Sequence, residues 1–366
     1  MEQEKLNDIL NRIAPPDAAA MQAALARQAS LAKPPHSLGK LEDISVKLAG
    51  MTGQLYNPVD RRRVLIFSAD NGIAHEGVAS APQSVTLSQT INFTRGLTGV
   101  AVLAKHFHAE LDVMDMGIAA DFVQPGVRDC KIAHGTRNFA VEPAMTREQA
   151  LKAVSIGIEA ARRARDEGVQ IVGVGEMGIG NTSTSSAVLS VLLNLPAEAT
   201  VSRGAGINDE SYRRKIALID GAIARWQPDP GDPIDVLSKV GGFDIAAMCG
   251  AFVGAAALRL PAVIDGFISA VAALCAYRLN PLCADYMIPS HASREKGYML
   301  AMNEMRLEPM LNLDMRLGEG SGCPIAFEVV AAAQSIIRNM ATFEETAIDD
   351  GYLDEIRANK AFQGEA

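Results

Sequence analysis

The feature that most constrains the fold is a recurring punctuation. Short apolar runs end in clusters of glycines, acids or hydroxyls, with helical stretches between them. Val64-Leu65-Ile66-Phe67 ends in Ser68-Ala69-Asp70-Asn71-Gly72, and Leu111-Asp112-Val113-Met114 in Asp115-Met116-Gly117. Gln170-Ile171-Val172-Gly173-Val174 ends in Gly175-Glu176-Met177-Gly178-Ile179-Gly180-Asn181-Thr182. Ala262-Val263-Ile264 ends in Asp265-Gly266, and Tyr286-Met287-Ile288 in Pro289-Ser290-His291. Strands buried on both faces read as unbroken apolar runs, the pattern of a parallel sheet. The expected fold class is therefore α/β, a Rossmann-like, mostly parallel sheet flanked by helices. Such sheets bind ligands in the crevice outside the carboxyl ends of their strands. Asp70, Asp115, Glu176, Asp265, Ser290 and Glu319 are expected to converge there.

The remaining pattern is helical. Leu6, Ile9, Leu10 and Ile13 follow amphipathic spacing. A second helix runs from Ala18 to Ala32 until Lys33-Pro34-Pro35 breaks it, and a third ends near Gly50. One helix is expected from about Val85 to Phe107. Another reaches about Glu167, opened by a capping box of Thr146 and Gln149. Pro324 suits a first helical turn, and Ile325 to Met340 continues with helical spacing. From about Leu353 the chain is expected to fray.

Charge and composition exclude several classes. The 366 residues carry a formal charge of −9, without the basic footprint that nucleic acid or anionic membrane requires. Ile245 to Leu258 and Gly266 to Tyr277 are the longest apolar runs, short of the roughly 18 residues of a membrane span. Five scattered cysteines without a C-x-x-C pair fit reduced thiols, and the polar start MEQEKLNDIL is no secretory leader. A cytoplasmic protein is expected. The six histidines show no H-E-x-x-H spacing, and there is no G-x-S-x-G elbow. Nothing in the sequence asks for a metal or a cofactor.

Three glycine motifs bear chemistry. Met315-Arg316-Leu317-Gly318-Glu319-Gly320-Ser321-Gly322 sets one carboxylate among glycines, where a ligand can approach the backbone. A solvated glutamate on a turn is the bland alternative. Gly175 to Ser183 is neither G-x-G-x-x-G nor a Walker A loop. Its strand-to-helix setting suits a phosphate or carboxylate; a tight turn capped by Thr or Ser is the plainer reading. Arg203-Gly204-Ala205-Gly206-Ile207-Asn208 precedes a helix with Arg213, Arg214 and Lys215. Lys215 is placed to reach a phosphate, although a solvated helix face accounts for such charges more simply. In Lys239-Val240-Gly241-Gly242-Phe243-Asp244, an N-cap role suffices for Asp244.

Taken together, these motifs resemble a known family. Ser37-Leu38-Gly39, Ala69-Asp70-x-Gly72, Glu76-Gly77-Val78 and Thr94-Arg95-Gly96-x-Thr98-Gly99-Val100 match it in order. So do Gly173-Val174-Gly175-Glu176, Lys239 to Asp244, Asp265-Gly266-Phe267, Ile288 to His291 and Arg316 to Gly322. From about residue 30 to 342 the chain is similar to the nicotinate-nucleotide–dimethylbenzimidazole phosphoribosyltransferases. Asn71 stands where that family usually has histidine, and His36 where it usually has glycine.

The resemblance implies transfer of phosphoribose from nicotinate mononucleotide to 5,6-dimethylbenzimidazole or a related base, with inversion at C1′. It implies Glu319 as general base, Glu176 as the second catalytic carboxylate, and no cofactor. Ala81, Thr86 and Gln89 fall in the region that holds the base. Gly178, Asn181, Gly204, Lys215, Asp265, Ser290, Ser293, Leu317 and Gly318 complete the substrate-binding set. It also implies a homodimer whose small all-helical domain comes from both chain ends. Residues 1–60 form its first part, 61–292 plus 311–324 the catalytic α/β domain, and 293–310 and 325–366 the C-terminal helices. A non-catalytic nucleotide binder, or a hydrolase releasing ribose 5-phosphate, are the competing readings.

Overall fold

The computed structural model describes residues 2–204, 206–354 and 356. Ala205, in the Arg203 to Asn208 turn, and most of the stretch expected to fray lie outside the described residues. Six strands form one parallel sheet: β1 (Arg62–Ala69), β2 (Ala109–Gly117), β3 (Val127–Asp129), β4 (Ile171–Met177), β5 (Ala262–Ile264) and β6 (Met287–Pro289). Their order is β3-β2-β1-β4-β5-β6, and every pairing is parallel. This is the strand order of a Rossmann fold, and it reverses direction between β1 and β4, which opens the crevice at their carboxyl ends.

Five strands coincide with the apolar runs. Val64, Leu65, Ile66 and Phe67 are wholly buried, each worth roughly 1.5–3 kcal/mol relative to exposure. The sequence does not announce β3, because Val127-Arg128-Asp129 is mostly polar and pairs only with β2 at the sheet edge. Leu311 to Met315 forms no strand; Leu311 alone makes a parallel bridge with His291.

The two long apolar runs are the buried helices Phe243–Ala257 and Phe267–Leu279. Helix Arg147–Asp166 lies so close to Phe243–Ala257 that side chains on Gly157 or Gly250 would collide with the opposing backbone. That close approach explains the alanine and glycine content of the run. Thr146 and Gln149 form both halves of the expected capping box. Where one helix was expected from Val85 to Phe107, there are two, Ser84–Thr94 and Gly99–His106. Thr98 caps the second through the Ala101 N–H, and this break bears on the site below.

The chain divides into two compact units. One contains residues up to Ala14 together with Arg61–Ala326, and so includes the whole sheet. Helix Glu2–Leu10 belongs to this unit rather than to the helical one: Glu2 accepts from Ser155, and Gln3 from Arg147. The other unit comprises Pro15–Asp60 and the chain from Phe327 on. Ala20, Ala24, Ala49 and Ile337 form its core, and Lys33 and Glu42 make a buried ion pair at 2.8 Å.

Candidate active site

Gly318, Glu319 and Gly320 all adopt left-handed backbone, with φ of 81°, 64° and 83°. For a glutamate this is strained, by about 1–3 kcal/mol, and the surroundings must hold it there. Asp265, just beyond β5, does so with both oxygens. Oδ2 accepts from the Gly320 N–H at 3.0 Å and Oδ1 from the Gly322 N–H at 2.6 Å. The turn lies directly on β4, since a Cβ on Gly175 would sit 2.6 Å from the Gly320 Cα.

Held this way, the Glu319 side chain is only 5% exposed. Oε1 accepts from the Gln89 amide at 2.7 Å, and Oε2 from the Val100 N–H at 3.3 Å. The second donor exists because the Gly99–His106 helix begins anew at that point, leaving its early N–H groups without intrahelical partners. Glu319 is therefore not a solvated turn residue.

Glu176, near the end of β4, accepts from the Glu319 N–H at 3.3 Å through Oε1 and from the Asn181 amide through Oε2. Burial, reinforced by the neighbouring Asp244 charge, pushes its carboxyl up to about 8. A glutamate at this pKa carries its proton at neutral pH in the free protein. The turn after it needs glycine at 178, where any side chain would run into the Ala69 carbonyl. Gly180, with φ of 96°, is the N-cap of helix Asn181–Leu193 and supplies no side-chain cap. The Thr or Ser cap of the plainer reading is thus absent.

Two expectations are corrected by this geometry. Asp244 is no N-cap: Gly242 holds that position, while Asp244 sits inside the helix, wholly buried. Its Oδ2 accepts from the same Asn181 amide at 3.1 Å, and burial pushes its carboxyl up to about 6. Lys215 is not on a solvated face, although Arg213 and Arg214 beside it are exposed. It is 1% exposed, and its Nζ donates to Thr182 Oγ1 at 2.8 Å. Burial lowers its ammonium to about 8 against the opposing pull of Glu295.

Glu176, Asn181, Thr182, Asp265 and Glu319 border a cleft of about 270 Å³. Of the expected site residues, Gln89, Glu176, Gly178, Asn181, Gly204, Asp265, Ser293, Leu317, Gly318 and Glu319 line it. Ala81, Thr86, Lys215 and Ser290 do not. Ala79 and Ser80 line the wall near Ala81, and Thr86 accepts from the Ile179 N–H at 3.1 Å beneath the β4 turn. Ser290 donates to the Asp265 carbonyl at 3.2 Å. Asp70 and Asp115 do not join the cleft either. Both brace the loop after β2, Asp70 accepting from Ala119 and Asp115 from Gly117 and Ile118. Val78, His291 and Arg316, which fall within quoted motifs without being singled out as site residues, also line the cleft, as does Val85, which no motif marks. Burial alone would depress the His291 imidazole, but the Asp265 carboxylate outweighs it and holds the ring above its ordinary value.

The cleft has two chemically distinct ends. At one, Leu317 and Glu319 approach Gly99, and Gln89 reaches Glu319 from the Ser84–Thr94 helix, one turn beyond Val85. This end is apolar with one carboxylate, suited to a flat heteroaromatic ring bearing an N–H. At the other, Gly204 packs on Thr182, whose hydroxyl meets Lys215 at the start of the Asn181–Leu193 helix. A helix start beside a buried lysine suits an anion. Glu176 connects the two, touching both Asn181 and the Glu319 backbone. Among the described residues, no group of three His, Cys, Asp or Glu could hold a metal ion, and no helix is long and apolar enough to cross a membrane.

Comparison with known proteins accords with this geometry. Residues 13–348 match a family model described as phosphoribosyltransferase. A nicotinate-nucleotide–dimethylbenzimidazole phosphoribosyltransferase of Clostridium perfringens is 52% identical over 357 residues, covering 98% of this chain and 99% of that protein. Its Geobacter sulfurreducens counterpart is 44% identical over 347 residues, covering 94% and 99%. The crystal structure of CobT from Thermus thermophilus superposes with a TM-score of 0.88 at 38% identity, covering 91% of this chain and all of that one.

Proposed function

Since this chain is a transferase of the nicotinate-nucleotide–dimethylbenzimidazole phosphoribosyltransferase family, we propose that it moves phosphoribose from nicotinate mononucleotide to 5,6-dimethylbenzimidazole or a related base. The products are α-ribazole 5′-phosphate and nicotinate. The observation that carries this reading is the Glu319 carboxylate, aimed into an apolar end of the cleft by Gln89 and the Val100 N–H.

In this reading the benzimidazole packs on Leu317 and Val85 and gives its N–H proton to Glu319. The freed nitrogen bonds to C1′ from the face opposite nicotinate. The C1′–pyridine bond breaks, its electron pair returns to the ring nitrogen, and C1′ inverts. Positive charge spread over the ribose during the exchange is met by Glu176 in its ionised form. The 5′-phosphate sits at the start of the Asn181–Leu193 helix, with Lys215 behind Thr182. Asp265 acts by holding the Glu319 turn. Much of the acceleration comes from fixing two rings and a sugar in line.

The sheet unit carries the chemistry, and the family likeness supports assembly as a homodimer. Cytoplasmic placement is supported by five cysteines that are all free thiols, four of them buried. Incubating the protein with nicotinate mononucleotide, with and without dimethylbenzimidazole, and following nicotinate by chromatography tests the reading. Nicotinate release that depends on acceptor, with a new ribonucleotide of the base, is expected. Equal release without acceptor, with ribose 5-phosphate formed, would mark a hydrolase instead.

A further inference from the structure

Beneath the cleft lies a carboxylate that the transfer steps leave unused. Asp244 is wholly buried in the first turn of the Phe243–Ala257 helix and does not line the cleft. A capping role does not account for it. Its nearest backbone partner is the Ile245 N–H, one residue on, at 3.0 Å. Two glycines leave the space its carboxyl fills: side chains on Gly178 or Gly242 would overlap its oxygens. From that slot Oδ2 accepts from the Asn181 amide, the group that also donates to Glu176.

We propose that Asp244 is a positioning residue for the transfer. Through the shared Asn181 amide it orients the Glu176 carboxyl, and by its negative charge it keeps one proton on the Glu176–Asp244 pair until a cationic ribosyl centre occupies the cleft.

The surroundings support this. From the β5 end Asp265 adds a second negative charge near Glu176, and from the glycine turn Glu319 presents its backbone N–H. The β1 end contributes the Asn71 amide beside Asp244. His291, after β6, is engaged with Asp265 at 3.7 Å, and Lys215 is directed to Thr182. The pair therefore lies among acids and amides with no direct cationic contact among the described residues. Two carboxylates so placed do not ionise together readily. When substrate brings its pyridinium and ribosyl charge, the proton passes to solvent and Glu176 ionises facing the sugar.

The inference rests on the transferase reading for its catalytic half only, and the test separates the two. Infrared titration of the buried carboxylic-acid C=O band requires no turnover. Wild type is expected to show a band near neutral pH that Glu176→Gln lacks. In Asp244→Asn its midpoint should move down by about one pH unit or more. Where transfer is assayed, the acid limb of the kcat profile of Asp244→Asn should move the same way. Asp244→Ala should lose about tenfold in kcat with the KM for nucleotide little changed. Thermal melts of each variant report folding. A band midpoint in folded Asp244→Asn that coincides with wild type overturns the inference, whether or not the protein transfers phosphoribose. A wild type that shows the band but releases no nicotinate in the presence of acceptor overturns the transferase reading alone.

Discussion

Glu319 and Glu176 stand at one cleft, yet the chain surrounds them differently. Glu319 sits on a strained turn with donors around its carboxyl: the Gln89 amide on Oε1 and the Val100 N–H on Oε2. Glu176 sits at the end of a buried strand, shares one amide with Asp244, and has Asp265 nearby. Environment separates the roles of two like residues. In the proposed reaction the carboxylate met by donors takes the acceptor's proton, whereas the one among acids holds a proton until positive charge arrives.

Exchanging either side chain should break the comparison in its own way. In Glu319→Gln, kcat should fall by about 10²–10⁴-fold, the range for a positioned general base, while nucleotide affinity stays nearly constant. Glu176→Gln should cost less, about 10²-fold in kcat, but it carries a second signature. Its folded pKa, about 8, lies above the ordinary 4.5. Its contribution to stability is therefore full below about pH 4.5 and is lost as pH rises through about 8. The melting temperature of Glu176→Gln should thus decline less between pH 5 and 8 than that of wild type. Lys215→Met sharpens the contrast by separating binding from chemistry: the KM for nucleotide should rise about tenfold with kcat little changed. Wild-type KM should also rise above about pH 8, as the Lys215 ammonium loses its proton.

How much of this was legible in the sequence depends on what each residue's role requires. The buried strands were, because Val64 to Phe67 or Ala262 to Ile264 must be apolar on both faces. The glycine turn was, because Gly318, Glu319 and Gly320 need left-handed backbone. Edge strand β3 was not, since pairing on one side leaves Arg128 and Asp129 free to be polar. Asp244 and Lys215 read as a cap and a surface charge, because only the fold shows that Asn181 and Thr182 meet them from elsewhere in the chain. Asp70 and Asp115 carried the same strand-end signal as Glu176 and Asp265. Sequence gives no means to tell a carboxylate that braces a loop from one that faces a cleft.

The central claim is that nicotinate leaves only as Glu319 takes a proton from the seated acceptor. An acceptor that fills the same pocket without an N–H tests it directly: 1,5,6-trimethylbenzimidazole, in which a methyl group replaces that hydrogen. It should compete with dimethylbenzimidazole for the free site yet release no nicotinate from bound nucleotide. Release at the rate seen with dimethylbenzimidazole would contradict the account, since the bond would then form with no proton for Glu319 to take.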